Sequence, residues 1–175
     1  MEAEGRTLEG AEVDRLVRDF IDYYGAHIAD HSRPFPGLDA TLDELAAAGC
    51  RLAVCTNKLE WLSLRLLDAF ALSKRFVAVC GADTFGLRKP DPELLRLTLA
   101  RAGGSLDRAV MVGDSLNDIA TARAAGVPVV AVDYGYTETP VGELGPDRVI
   151  GALAELPAAV FDLLRIGRHA RVEPR

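Results

Sequence analysis

A chain of 175 residues with 49% apolar and 26% charged positions has the size of about one domain and the make-up of a globular core, which excludes a disordered or fibrous protein. Its formal net charge of −6 argues against nucleic acid as a partner, because phosphate backbones recruit basic surfaces. No apolar run is long enough to span a bilayer and the acidic start MEAEGRTLEG has no signal-peptide core, so the reading is a cytoplasmic protein with no membrane partner.

In chain order, apolar residues at Val13, Leu16, Val17, Phe20, Ile21, Tyr24 and Ile28 predict one face of an amphipathic helix over 12–28. The SRPFPG stretch breaks it, which puts a boundary after residue 33. Helices follow at 38–48, ending at Gly49, and at 59–70, with a strand at 52–55 between them. A second strand is predicted at 76–79. Asp91 and Pro92 then make a helix start, and that helix runs to Ala102. A third strand at 109–112, a helix at 117–125, a fourth strand at 128–132, the apolar pair Val149 and Ile150, and a last helix at 153–164 complete the series. Nearly all-apolar strands separated by helices predict a parallel, doubly wound α/β sheet covered on both faces. The expected organisation is a helical segment at 1–33, the α/β core at 34–165 and a basic tail at 166–175 with Arg168, Arg171 and Arg175. Cys50, Cys55 and Cys80 lack metal-type spacing and read as small apolar residues.

Three polar sites stand directly beyond apolar strands: Thr56-Asn57, Lys89 in GLRKPDPE, and Gly113-Asp114-Ser115-Leu116-Asn117-Asp118. A parallel fold gathers strand ends along one rim, where ligands of such sheets bind. A hydroxyl with backbone N–H groups at a strand-to-helix turn suits phosphate oxygens, as at Thr56 and Asn57. Lys89 supplies a compact charge for a phosphoryl group. Asp114 and Asp118, four apart at a loop-to-helix junction, suit a hard cation such as Mg²⁺, and Gly113 lets the backbone turn before them. Taken singly, Thr56 reads as a helix cap, Lys89 as a surface lysine, and the two aspartates as a cap and a helix-dipole partner. Their joint placement carries the argument.

The chain resembles the haloacid dehalogenase superfamily, and within it the phosphoglycolate phosphatase-like branch. CTNK (55–58) is similar to the family's second motif, GLRKPDPELL (86–95) to its third, and VGDSLNDIATARAAGVPVVAVDYGY (112–136) to its fourth. PFPGLDATLDELAAAG (34–49) resembles the return from a helical cap to the core, and PDRVIGALAELPAAV (146–160) the family's ending. The resemblance implies a Rossmann-like core with a cap remnant in residues 1–33. It implies a Mg²⁺-dependent hydrolysis of a small phosphorylated metabolite through an aspartyl-phosphate. Thr56 and Asn57 would then bind and position the phosphoryl group, Lys89 would offset its charge, and Asp114 and Asp118 would serve the metal, with Gly113 and Ser115 in support. A receiver domain uses the same residue types, but with its aspartate ahead of the threonine and its lysine last.

The sequence departs from the family in one respect. The family opens with an apolar strand ending in Asp-x-Asp-x-Thr, whose first aspartate is the nucleophile and which lies mid-sheet, between the strands read here at 52–55 and 109–112. No such sequence occurs in the 175 residues. The resemblance therefore implies an N-terminally incomplete chain, weak or inactive alone. The alternative is a non-catalytic module that keeps a phosphate and Mg²⁺ pocket.

Overall fold

The computed structural model describes residues 10–135 and 137–169. From residue 170 onward the expected basic tail lies outside them, as does Tyr136 of the fourth motif. The chain divides into two compact units, residues 1–33 and 34–175.

In the first unit, α1 (Gly10–Ala26) presents Val13, Leu16, Val17, Phe20 and Tyr23 as exposed apolar side chains. Phe20 stacks on Tyr24 with ring centroids 6.0 Å apart, and Tyr23 leans on His27 at 4.3 Å. The helix is followed by His27, whose Nδ1 lies 2.6 Å from Asp30 Oδ2.

The second unit runs α2 (Leu38–Ala47), β1 (Ala53–Cys55), α3 (Glu60–Ala69), β2 (Ala78–Cys80), α4 (Pro92–Arg101), β3 (Met111–Gly113), α5 (Leu116–Ala125), β4 (Val129–Val132), β5 (Arg148–Ile150) and α6 (Leu156–His169). All pairings are parallel: β1 with β2 in one sheet, and β3, β4 and β5 in that order in another. This is the parallel α/β architecture read from the sequence; β1 and β3 do not pair, so the ladder is interrupted between them.

β4 is the strand with partners on both edges, and its residues alternate between two cores. Val129 and Ala131 face Leu95, Met111, Ile119, Ala122 and Val127 under α4 and α5. Val130 faces Leu45, Ile150, Leu156, Val160 and Leu163 under α2 and α6. Fully burying side chains of this size contributes about 1.5–3 kcal/mol each, so this pair of layers sets the fold. The hydroxyls of Thr98 and Thr121, buried in the same region, donate to the carbonyls of Leu94 and Asn117 one turn back, at 2.8 and 2.6 Å, and so bring no unpaired polar group inside.

Boundaries shift where local turns compete. The strand predicted at 76–79 forms at Ala78–Cys80, because Phe76 closes a 3₁₀ turn over Ser73–Arg75 and Val77 is 57% exposed. The strand predicted at 109–112 forms at Met111–Gly113, after a 3₁₀ turn at Leu106–Arg108. The last helix starts at Leu156 rather than 153, since Leu153–Glu155 is a 3₁₀ turn and Pro157 suits the first helical turn.

Candidate functional site

β1, β2 and β3 deliver their following loops to one rim, where a chain of hydrogen bonds ties them together. After β1, the Asn57 side-chain amide meets the Lys89 backbone at both ends: Nδ2 donates to the Lys89 carbonyl at 3.0 Å, and the Lys89 N–H donates to Oδ1 at 2.7 Å. Lys89 Nζ then reaches Asp118 Oδ1 at 2.5 Å. Both side chains are largely buried, Lys89 at 12% exposure and Asp118 at 6%. Asp118 Oδ2 accepts the backbone N–H groups of Asp114 and Ser115 at 3.2 Å and the Ser115 hydroxyl at 2.7 Å. The structure thus brings Asn57, Lys89, Asp114, Ser115 and Asp118 together, with Thr56 beside Asn57.

Local sequence explains each placement. Ser115 is the N-cap of α5, and with Asp118 it forms a reciprocal capping box. Asp118 is therefore both a helix-capping residue and the partner of Lys89. Ahead of it, Gly113 is required by contact: a Cβ there would lie 2.6 Å from Asp118 Oδ2. Asp114, half-exposed, is flanked by the loop after β4, where a Cβ on Gly135 would lie 2.5 Å from Asp114 Oδ2. Lys89 precedes a cis peptide bond to Pro90, and α4 then starts with Asp91 capping the Glu93 N–H at 2.9 Å. The Thr56 Oγ1 accepts the Lys58 N–H at 3.1 Å. That leaves the hydroxyl proton as its donor.

The rim also holds residues that the sequence reading passed over. The Glu60 N–H donates to Asp83 Oδ1 at 2.7 Å, the Gly81 N–H donates to Thr84 Oγ1 at 2.8 Å, and the Thr84 hydroxyl donates to the Glu60 carboxylate. A Cβ on Gly81 would lie 2.5 Å from the Lys58 carbonyl oxygen, so this glycine lets the loop after β2 close onto the loop after β1. A glycine immediately after a strand was the available signal. Burial pushes the Cys55 thiol above the usual thiol range, while a hydrogen bond to Thr98 pulls the other way. The Tyr134 hydroxyl is buried without a hydrogen-bond partner; burial raises its pKa, and the charges of Asp133 and Glu155 add to the rise.

Among the described residues no group of three or more acids, histidines or cysteines stands ready for a metal. Mg²⁺ keeps several waters and needs only one or two carboxylates, so Asp114, with Asp118 behind it, fits that ion. The Gly135 cradle, which a Cβ would fill, is the observation that favours Asp114 as the direct ligand.

Parallel strands bring their carboxyl-end loops, with a lysine, a hydroxyl and two aspartates, to one rim, the place where ligands of such sheets bind. The chain belongs to the haloacid dehalogenase-like hydrolase family, whose model matches residues 3–132. It is 47% identical over 168 residues to the phosphoglycolate phosphatase of Mesorhizobium japonicum, covering 95% of this chain and 74% of that protein. It is 51% identical over 162 residues to the phosphoglycolate phosphatase of Caulobacter vibrioides, covering 93% and 68%. The crystal structure of a predicted phosphoglycolate phosphatase from Haemophilus somnus 129pt superposes with a TM-score of 0.83 at 32% identity, over 88% of this chain and 69% of that one. The family kinship is thus with phosphoric monoester hydrolases. Among the described residues no helix is long and apolar enough to cross a membrane.

Proposed function

We propose that this chain carries the phosphate-gripping and metal-holding part of a Mg²⁺-dependent phosphomonoester hydrolase of the phosphoglycolate phosphatase type, acting on a small phosphorylated metabolite. The observation that carries the reading is the buried Lys89–Asp118 pair, which joins the loop after β2 to the loop after β3 within reach of Asn57 and Asp114.

Each residue then has a task. Thr56 donates its hydroxyl proton to a phosphoryl oxygen, since its oxygen already accepts from Lys58. Lys89 places its ammonium against the negative charge that develops on the phosphoryl group. Asn57, its side chain committed to the Lys89 backbone, holds that lysine in place. Asp114 ligates Mg²⁺ and Asp118 supports it through Lys89 and Ser115. Mg²⁺, when bound, offsets charge on the phosphoryl oxygens. Gly113 and Ser115 shape the loop that presents both acids.

Neither acid is left for the role of nucleophile: Asp118 is buried behind Lys89, and Asp114 is taken up by the metal. The carboxylate that attacks phosphorus, displaces the alcohol and yields an aspartyl-phosphate is then one outside these 175 residues, and the chain alone turns over weakly or not at all. Residues 1–33 serve as part of a helical cap, and residues 34–165 as the core.

Calorimetric titration tests the reading. Inorganic phosphate and Mg²⁺ should each bind more tightly in the presence of the other, with Asp114→Asn abolishing the Mg²⁺ effect and Lys89→Met weakening phosphate by about tenfold or more. Binding of both that is indifferent to these substitutions sinks the proposal. Joining the chain to the unmatched quarter or so of the Mesorhizobium japonicum relative should then release turnover of 2-phosphoglycolate. Tight binding with no turnover in that fusion would instead identify a non-catalytic phosphate and Mg²⁺ module.

A further inference from the structure

The loop after β4 touches Asp114 on one side and an aromatic ring on the other. β4 ends at Val132, and the Asp133 N–H still donates to the Ile150 carbonyl of β5 at 3.1 Å. Tyr134 and Gly135 follow directly. The Gly135 backbone lies against Asp114, so closely that a Cβ there would come 2.5 Å from Oδ2. Tyr134 meets the Phe35 ring with centroids 4.8 Å apart and planes tilted by 58°, a geometry that aromatic pairs favour. The Tyr134 hydroxyl is buried and makes no hydrogen bond, so this position uses the ring and not the polar tip.

Phe35 is held stiffly. Pro34 and Pro36 flank it, each fixing its own φ, and a residue ahead of a proline is confined to extended backbone. The Leu38 N–H donates to the Phe35 carbonyl at 3.3 Å and the Thr41 N–H to the Gly37 carbonyl at 3.0 Å, which joins the segment to the first turn of α2. Gly37 itself has φ +82°, a left-handed turn that suits glycine. The buried Thr41 then donates its hydroxyl to the Leu153 carbonyl at 3.0 Å, just ahead of α6. The Phe35 ring thus projects from a braced segment, and little freedom is lost in placing it. At 47% exposure it belongs to neither core, so its removal takes away the ring contact without opening a cavity there. Phe35 stands two residues past the boundary at residue 33, in the stretch by which the chain enters the second unit.

We propose that Phe35 and Tyr134 are positioning residues for Asp114. The Phe35 ring fixes the Tyr134 ring, Tyr134 fixes the backbone of Gly135, and Gly135 closes one side of the Asp114 carboxylate. The cap of α5 holds the same residue from the other side, through the Asp114 N–H bond to Asp118 Oδ2 at 3.2 Å. Both rings act through Gly135 rather than on substrate. The inference rests on the reading of Asp114 as the direct Mg²⁺ ligand, and it gives the entry segment of the second unit a part in metal affinity. A carboxylate confined to one orientation binds a cation more tightly than one that samples several, because the ordering is done before binding. Aromatic pairs of this kind are worth about three- to tenfold in an equilibrium, which sets the size of the effect.

The test reads Mg²⁺ binding to the full chain by calorimetry in the presence of inorganic phosphate, beside the Asp114 and Gly135 amide resonances of the metal-free chain. Phe35→Ala and Tyr134→Ala should each weaken Mg²⁺ by about fivefold. The double variant should be no weaker than Tyr134→Ala alone, since both rings act along one path. Tyr134→Phe and Phe35→Tyr keep their rings and should hold Mg²⁺ affinity within about twofold. Phe35→Leu, apolar but without a ring, serves where an alanine variant fails to fold, and should weaken Mg²⁺ by about threefold. In the metal-free chain Phe35→Ala should shift the Asp114 and Gly135 amides and leave Val79, on β2, in place. The proposal is overturned if Phe35→Ala changes neither the Mg²⁺ affinity nor those two amides, or if the two alanine variants are additive. It is also overturned if Tyr134→Phe loses as much as Tyr134→Ala, which would assign the role to the hydroxyl. A wild-type chain that binds no Mg²⁺ removes the metal reading instead, and the amides alone then decide: shifted, they uphold the hold of the rings on Asp114; unshifted, they overturn it.

Discussion

Lys89→Met removes one half of a largely buried ion pair and leaves the other half in place. Asp118 would keep its bonds to the Ser115 hydroxyl and to the Asp114 and Ser115 N–H groups, but lose the ammonium 2.5 Å from Oδ1. Breaking a buried pair from one side costs about 3–5 kcal/mol, and the three remaining donors place this case at about 3 kcal/mol. With a urea slope of about 2 kcal/mol per molar, the unfolding midpoint should fall by about 1.5 M. Trp61, the single tryptophan, reports the β1–β2 side by fluorescence, and circular dichroism reports the helices. Asp118→Asn and the double variant complete a cycle whose coupling should be about 2 kcal/mol. A midpoint shift below about 0.3 M, or a coupling within about 0.3 kcal/mol of zero, refutes the reasoning, because the pair would then be no more than a surface contact.

Gly135→Ala should push the Asp114 side chain aside and weaken Mg²⁺ binding by about tenfold or more by calorimetry, while thermal unfolding moves by only a few degrees; unchanged Mg²⁺ affinity would show that the cradle does not set this acid. Asn57→Ala should leave Mg²⁺ affinity alone but weaken phosphate binding by about tenfold, through a displaced Lys89, and Asn57→Asp should not rescue it because the bond to the Lys89 carbonyl needs an N–H donor. Burial raises the Cys50, Cys55 and Tyr134 ionisations above their ordinary values. The unfolded chain therefore loses these protons first, and stability should fall as pH rises past about 9, with a flat profile from pH 8 to 10 in urea titrations counting against it.

Much of this molecule is legible in its sequence because helix caps, glycine stops and apolar runs agree. Asp91-Pro92 starts α4 and Gly126 ends α5, both at left-to-right boundaries that local chemistry alone dictates. The strand ends were less so. Phe76 and Val77 have strand-like side chains, yet a 3₁₀ turn before them and exposure of Val77 delay β2 to Ala78. Thr56, Lys89 and Asp118 could be nominated from their position after apolar runs. Their bonding could not: the Ser115–Asp118 capping box follows an S-x-x-D pattern plainly present in the sequence, but the engagement of Asp118 with Lys89 depends on a contact between residues 29 apart. Gly135 and Glu60 were invisible for the same reason, since each acts through a loop brought alongside by the sheet.

The interrupted ladder has a bearing on how the molecule comes apart. The β1–β2 lobe meets β3–β4–β5 through the contact of α4 with α5, through the packing of Cys55 and Leu52 on the two cores and through the Lys89–Asp118 bond, with no ladder of backbone hydrogen bonds between β1 and β3. Side-chain packing, and not the backbone, then carries cooperativity between the halves. Native-state amide exchange should therefore be faster in the lobe bearing Trp61 than in β4, whose strand is paired on both edges, while the chain still unfolds in one transition.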